Sequence, residues 1–468
     1  MNLKKILPFF LLTLILVFAF WLRLSAFWLP HWKGDQNHYV VLAMKLDKLG
    51  FENYNLRGVK LGNFVVSRVP PVELAFCKLV DPQETGDLIQ ILRMVGQPYY
   101  DQPFHHRAPL LPFFLMVSHR VFAGDADLYG VCNSNLGKRV KVLKPAIIFK
   151  TQFWAAVVPL FFNLAVIFMT FLLGARFFSA RVGLWAAFLM ATNPVSVVLA
   201  HLLLVEDTVT FFAALSVFLF LIFYPKKNLA GIFLAGACAG LTILAKQTGG
   251  LILGAVGIYT FLSRRQKGKW ASGFFTVEFL LFASGALLVS GFWFVKVWQH
   301  FGSPFHQPAS TLSALEDDLT GWIRAVSNRP PPFIFFSLGV LCLSPVFSTV
   351  FLTFRSFFRG VKDAARGTRA PDVTVFLWLW VSGFYLFLVE PWNILALVAN
   401  QEHRFFYMAY PALALLAASG IDRIRAVSTP WVKPLWMADT AVWAMLALNA
   451  WWGVPKAMEI IYSNALLF

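Results

Sequence analysis

Acids, histidines and fixed cations recur along the chain beside long apolar segments. A carboxylate can take a proton from an attacking group, while lysine and arginine can bind a phosphate, arginine through a bidentate fork. In apolar surroundings such groups can bind the phosphate of a lipid. Transfer of a group from that lipid needs both a base and a cation that binds the phosphate. The stretches concerned are 34–39 (GDQNHY), 105–113 (HHRAPLLPF), 202–212 (LLLVEDTVTFF), 243–250 (ILAKQTGG) and 400–411 (NQEHRFFYMAYP).

Each charged residue also has an interpretation in which its role is only structural. Asp35, which follows the first apolar segment, is a suitable helix N-cap. The charged residues of the other stretches can be interface anchors or ion pairs inside a helix bundle. Their number favours a common site, because charges that repeatedly meet a membrane at one depth are costly unless they bind a charged ligand.

The composition predicts that membrane helices position these residues. Of the 468 residues, 58% are hydrophobic and only 13% are charged, which is more apolar surface than a soluble fold can bury. Because a span needs about twenty apolar residues, we predict an all-α polytopic membrane protein with about eleven transmembrane helices, within about 10 to 13. The apolar runs are 6–29, 151–173, 183–201, 207–224, 229–245, 249–262, 273–298, 333–353, 373–391, 405–421 and 435–453.

The net charge of +17 fits either a nucleic-acid partner or a membrane topology. With a cytoplasmic N-terminus, 18 lysines and arginines fall in the inner segments and six in the short outer segments and tail. This distribution follows the positive-inside rule, so topology accounts for the charge and no nucleic-acid partner is predicted. The first run also resembles a signal peptide, but no small-residue cleavage pattern follows it, which favours a retained span.

The predicted organisation has one large outer loop, where we expect the site, because long ordered loops usually carry function. A helix on the membrane surface is predicted in this loop at 36–49, and the apolar stretch 108–123 is predicted to be interfacial or re-entrant. The predicted segments are the first transmembrane helix (1–29), the extracytoplasmic loop (30–150), helices 2–7 (151–298), a second outer loop (299–332), helices 8–11 (333–454) and a short outer tail (455–468).

The motifs resemble, in order along the chain, those of the GT-C superfamily of integral-membrane glycosyltransferases. The resemblance is strongest to bacterial members similar to protein O-mannosyltransferases and to the aminoarabinose lipid A transferase. It lies in GDQNHY (34–39), HRAPLLPFF (106–114), EDTVTFF (206–212), LAKQTG (244–249) and EHRFFYMAYPALALL (402–416). The resemblance implies the GT-C fold and inverting transfer of a sugar from a polyprenyl-phosphate donor to a lipid, glycan or protein acceptor, on the outer face of a bacterial inner membrane.

The resemblance also implies roles for individual residues. Asp35 corresponds to the catalytic base that acts on the acceptor. Arg107, Arg404 and Lys246 are expected to bind the donor phosphate. The supporting polar site is expected to contain His105, His106, Glu206, Asp207, Glu402 and His403.

Some features depart from the superfamily pattern or leave alternatives open. Gln36 follows Asp35 where many relatives have Glu, which weakens any metal site built from an acidic pair. A divalent cation held by His106 and Glu206 stays open, and no other cofactor is implied. In the outer loop, Cys77 and Cys132 form either a disulfide or two free thiols, since the sequence gives no distance between them.

Two other functions were weighed against glycosyl transfer. A transporter or flippase of lipid-linked saccharides predicts polar groups near mid-span and a repeat between the halves of the chain, whereas these charges gather at outer ends and no repeat is visible. A noncatalytic scaffold would not need Asp35 and Arg404 together. The sequence therefore favours the transferase.

Overall fold

The computed structural model describes residues 3–27, 108–122, 145–264, 276–302, 345–388, 406–428 and 435–466, with isolated positions from 36 to 65. This part of the chain is almost wholly helical, which confirms the predicted fold class. The α-helices are α1 (Leu3–Arg23), α2 (Leu110–Phe122), α3 (Pro145–Phe177), α4 (Ala180–Thr192), α5 (Pro194–Leu199), α6 (Glu206–Phe223), α7 (Leu229–Ala245), α8 (Leu251–Arg264), α9 (Val277–Phe301), α10 (Phe354–Ala365), α11 (Val373–Leu388), α12 (Tyr410–Ser428) and α13 (Leu435–Leu466).

Shorter elements connect or precede some of these helices. The 3-10 helices are Leu24–Phe27, Gln247–Gly250, Pro345–Thr353 and Tyr407–Ala409. Strands β1 (Lys60–Leu61) and β2 (Phe64–Val65) form a small antiparallel pair in which Lys60 faces Val65.

Each predicted apolar run contains a described helical segment. Within the described ranges, four helices are long and apolar enough to cross a membrane: Ile6–Phe27, Phe153–Phe177, Glu206–Phe223 and Val277–Gln299. Four further apolar helical segments have only 10–17 residues, fewer than a simple perpendicular span requires: Leu110–Phe122, Ala180–Thr192, Leu229–Ala245 and Val373–Gly383. A multi-pass membrane protein is therefore supported, while the number eleven stays a prediction.

Polar side chains mark where several helices begin. Ser179, Asn228 and Thr276 precede α4, α7 and α9, and each accepts a hydrogen bond from a backbone N–H of the following first turn, at 3.0 to 3.2 Å. These caps satisfy N–H groups that have no partner within their own helix. Helix α9 is followed by Gly302, whose φ of 72° is readily adopted only by glycine.

Helices α7 and α9 pack against each other through glycines. A Cβ on Gly236 would lie 2.0 Å from the carbonyl oxygen of Phe282, and one on Gly285 would lie 2.3 Å from that of Phe233. Small residues allow membrane helices to approach this closely. The contact fixes α7, whose last residue immediately precedes Lys246.

The antiparallel run of α6 and α7 gives the bundle two polar ends. Glu206, which begins α6, forms an ion pair with Lys246 after α7, so both lie at one end. The turn at 225–228 lies at the other end. The second end also contains the ion pairs Arg264–Glu278 and Arg425–Asp439.

The predicted interfacial helices of the outer loop pack partly against the bundle. With 13 residues, α2 is about 20 Å long, shorter than the roughly 30 Å hydrocarbon layer. Its Leu111 and Leu115 are buried, while Val121 is 66% exposed. From the stretch 36–49, Tyr39 and Leu42 are helical and buried in the protein core, so their apolar face contacts protein.

Candidate active site

The last residue of α1 is a buried arginine. Arg23 has no exposed surface. Its guanidinium donates to Asn163 Oδ1 at 2.6 Å, to Ser196 Oγ at 3.0 Å, and to the carbonyl oxygens of Ala19 and Ala191 at 3.0 and 2.9 Å. A guanidinium without water needs such acceptors for its N–H groups, so these four contacts make the burial tolerable.

Asn163 of α3 connects this arginine to a carboxylate. Its Oδ1 accepts from Arg23, and its Nδ2 donates to Asp207 Oδ1 at 2.7 Å. The same Nδ2 lies 3.2 Å from the Tyr407 hydroxyl, which in turn is 3.0 Å from Ser196 Oγ. We call these five residues the buried polar cluster.

The buried polar cluster contains one basic and one acidic side chain, with the amide of Asn163 between them. Each member is at most 1% exposed. Buried charges persist only when they are matched and hydrogen-bonded, and here both conditions hold. Because its members come from α1, α3, α5, α6 and the Tyr407–Ala409 3-10 helix, the cluster ties distant parts of the chain together.

An ion pair lies next to the cluster along the chain. Lys246 Nζ is 3.1 Å from Glu206 Oε1, and the lysine side chain is 20% exposed whereas the glutamate side chain is 5% exposed. Glu206 Oε2 is buried and, among the described residues, has no hydrogen-bond partner. The partly accessible ammonium of Lys246 can donate to a polar or anionic group, and the carboxylate of Glu206 holds it in place.

The chain around the predicted catalytic base is anchored to the same end of the bundle. Gln36 accepts a 3.0 Å hydrogen bond at Oε1 from the backbone N–H of Leu203, three residues before Glu206. On the other side of the segment, Ser25 Oγ lies 2.8 Å from His201 Nε2. Ser25 and Gln36 therefore both contact the part of the chain at 201–203.

The structure describes three of the predicted site residues. It brings Glu206 and Lys246 into contact and places Asp207 in the buried polar cluster. The remaining predicted residues lie outside the described ranges: Asp35, Arg107, Arg404, His105, His106, Glu402, His403, Cys77 and Cys132. Their roles stay predictions.

The metal site suggested for His106 and Glu206 also stays a prediction. Among the described residues, no three or more His, Cys, Asp or Glu side chains are grouped so that they could hold a metal ion. Only Glu206 of the suggested pair is in a described range.

Sequence reasoning missed most of the buried polar cluster. Arg23 is the one charged residue in the apolar run 6–29, and a charge inside a span is unfavourable without a partner, so a signal was present. Asn163 gave a weaker signal because uncharged polar residues are common in membrane helices. Nothing in the sequence identified Tyr407 as a partner of either residue.

Comparison with known proteins gives a family match and a fold match. Residues 143–302 match the family Dolichyl-phosphate-mannose-protein mannosyltransferase, and this range includes Glu206, Asp207 and Lys246. No curated protein sequence matches the chain.

Three solved structures of two proteins share the fold. Apo ArnT from Cupriavidus metallidurans aligns over 100% of this chain and 77% of its own, with 13% identity and a TM-score of 0.52. ArnT bound to undecaprenyl phosphate gives a TM-score of 0.51 at 13% identity, over 97% of this chain and 73% of its own. AglB of Archaeoglobus fulgidus, in complex with an inhibitory peptide and a dolichol-phosphate, gives a TM-score of 0.52 at 12% identity, over 99% of this chain and 56% of its own.

The chain has the GT-C fold. The resemblance read from the sequence motifs is thereby confirmed. The chain spans about three quarters of the length of ArnT and little more than half the length of AglB. The buried polar cluster and the Glu206–Lys246 pair lie within this GT-C framework.

Proposed function

We propose that the protein is a membrane glycosyltransferase that transfers a sugar from a polyprenyl-phosphate donor to an acceptor on the extracytoplasmic face. The GT-C fold and the mannosyltransferase family match support this proposal. ArnT and AglB, which share the fold, were solved with undecaprenyl phosphate and dolichol-phosphate, respectively. Both ligands are lipid phosphates, which is the chemistry that the charged motifs favour.

The observation that carries the proposal is the convergence of polar groups at one end of the bundle. Glu206 and Lys246 form an ion pair there, and Gln36, the neighbour of Asp35, is hydrogen-bonded to Leu203. Tyr407, three residues after Arg404, belongs to the buried polar cluster together with Asp207. The neighbours of two predicted site residues are thus held close to the described acids.

The proposed reaction uses one base and several cations. Asp35 takes the proton of the acceptor group as that group attacks the anomeric carbon of the sugar. The bond from this carbon to the phosphate oxygen breaks, and the electron pair leaves with the polyprenyl phosphate. Attack from the face opposite the phosphate inverts the configuration. Arg107, Arg404 and Lys246 stabilise the departing phosphate.

Lys246 would serve this role while still in contact with Glu206. Its side chain is one-fifth exposed and its ammonium has three donors, so one donor can bind the carboxylate and another a phosphate oxygen. The buried polar cluster would act at a distance, by holding the ends of the segments that carry Asp35 and Arg404. We place the enzyme in a bacterial inner membrane with its N-terminus in the cytoplasm.

The first test replaces the proposed base. In a host strain that lacks the protein, we expect wild type to restore one envelope glycolipid or glycoprotein form and Asp35→Asn to fail, because the amide cannot accept the proton. Mass spectrometry of the envelope would measure the missing hexose or pentose and so identify both sugar and acceptor. Asp47→Asn is the matched control, since Asp47 is a carboxylate of the same predicted loop that pairs with Arg120 at 2.5 Å.

The first test also distinguishes the alternatives. Full restoration by Asp35→Asn, at normal protein level, would contradict the proposed base. A strain that lacks the envelope sugar and accumulates the lipid-linked saccharide on the cytoplasmic side would instead indicate a flippase, because loss of a transferase leaves the donor on the outer face. An envelope unchanged by deletion would be expected of a noncatalytic scaffold.

The second test addresses the donor phosphate. Arg404→Ala should raise the apparent KM for the lipid donor at least about tenfold, since a charge-assisted contact to phosphate is lost, while the KM for the acceptor changes little. Steady-state kinetics of the purified enzyme with both substrates varied would measure this. Equal effects on both KM values would argue against a phosphate contact.

A further inference from the structure

Helix α10 lies at the end of the bundle opposite the buried polar cluster and is packed against α11. The ring of Phe354 stacks on Trp378 with 4.2 Å between ring centroids, and Trp378 Nε1 donates to Thr353 Oγ1 at 2.9 Å. A Cβ on Gly360 would lie 2.6 Å from Val375 Cγ2, so the absence of a side chain allows the two helices to approach. One face of α10 is therefore fixed on the protein.

A second contact holds the start of α10 against α12. Arg423 donates through Nη1 to the carbonyl oxygen of Leu352 at 2.9 Å and through Nη2 to Ser356 Oγ at 2.7 Å. These bonds occupy a cation of α12. The cations of α10 itself are exposed and take no part in these two hydrogen bonds.

The outer side of α10 carries a stripe of cations that continues past its end. The spacing of four, three, four and three residues places the helical members on one face. The stripe consists of Arg355, Arg359, Lys362, Arg366 and Arg369, and all five are exposed. No ion pair joins any of them to another residue in the described ranges.

An exposed aromatic ring borders this stripe. Phe358 is 63% exposed and lies one residue before Arg359, while its other side stacks on Phe354 at 5.9 Å. A helix with cations beside an exposed phenyl ring is typical of the membrane interface, where the ring enters the acyl layer and the cations stay among the headgroups. The anchoring to α11 and α12 keeps this face turned outward.

We propose that the cation stripe of α10 is a binding surface for anionic phospholipid headgroups. Five exposed cations with no acidic partner in the described structure complement a negatively charged lipid surface, and juxtamembrane cations attract such a surface strongly. A zwitterionic headgroup offers no net charge to match them. The surface lies at the opposite end from Glu206 and Lys246, so this role is independent of sugar transfer.

Native mass spectrometry of the purified full-length protein would test the proposal. In detergent with equal amounts of phosphatidylglycerol and phosphatidylcholine, wild type should retain phosphatidylglycerol preferentially. Arg359→Gln combined with Lys362→Gln should reduce this preference about fivefold for each cation removed. The matched control is Lys226→Gln with Lys227→Gln, which removes two exposed cations from the turn at the same end of the bundle and should leave the preference unchanged.

Hydrogen exchange would show whether the lipid acts on α10. In nanodiscs that contain phosphatidylglycerol, the peptide covering 354–366 should exchange more slowly than in pure phosphatidylcholine, for wild type and for the control. The stripe variant should exchange equally in both. Three results would overturn the proposal: no lipid preference in wild type, an equal loss of preference in the control, or an unchanged preference in the stripe variant. The last result is expected if α10 binds an acidic protein instead of lipid.

Discussion

The charged side chains at the two polar ends of the bundle differ in their exposure and in their partners. In the buried polar cluster, Arg23 and Asp207 are at most 1% exposed and share the amide of Asn163. On α10, Arg359 and Lys362 are exposed, and in the described ranges neither has an ion-pair partner.

The difference shows where each set of charges finds its counterpart. A charge that loses water on folding must be matched inside the protein, or the folded state is destabilised. A cation at the membrane surface keeps its water and can take a mobile anion from its surroundings. Changes in the buried polar cluster should therefore alter stability, whereas changes in the α10 stripe should alter lipid binding.

The largest effect is expected from removing the buried acid. Asp207→Leu leaves Arg23 charged and buried, which should destabilise the protein by about 3–5 kcal/mol. Chemical unfolding of the purified protein in detergent would measure this change in the free energy of unfolding.

A double variant provides the control for that experiment. Adding Arg23→Met to Asp207→Leu removes both charges, so it should recover part of the lost stability. If the two losses simply add, the residues are not coupled through Asn163, and the buried polar cluster is not a single unit.

The sequence predicted the helical fold more completely than the site. Long apolar runs and the positions of basic residues depend on local composition, so they could be read directly. The ion pair of Glu206 with Lys246 and the cluster around Asn163 depend on the packing of helices far apart in sequence. A single sequence contains no information on which spans are neighbours, and so the motifs placed Glu206, Asp207 and Lys246 at one end without giving their partners.

A smaller loss is expected where the charge pair is partly exposed. Lys246→Met leaves the buried Glu206 carboxylate without its cation and should cost about 1–3 kcal/mol. Lys246→Arg retains a cation and should cost less. Thermal unfolding would compare these variants with Lys246→Met combined with Glu206→Gln, which removes the unmatched charge. If the double variant is no more stable than Lys246→Met, the ion pair contributes little to the fold.

The smallest effect on stability is expected on α10. Arg359→Gln with Lys362→Gln removes no ion pair or side-chain hydrogen bond within the described structure, so in a neutral detergent the free energy of unfolding should change by less than about 0.5 kcal/mol. Phosphatidylglycerol should raise the unfolding temperature of wild type, because a ligand that binds only the folded state stabilises it, and should raise that of the variant less. A large loss of stability in neutral detergent would mean that these cations have protein partners, and the contrast between the two ends would fail.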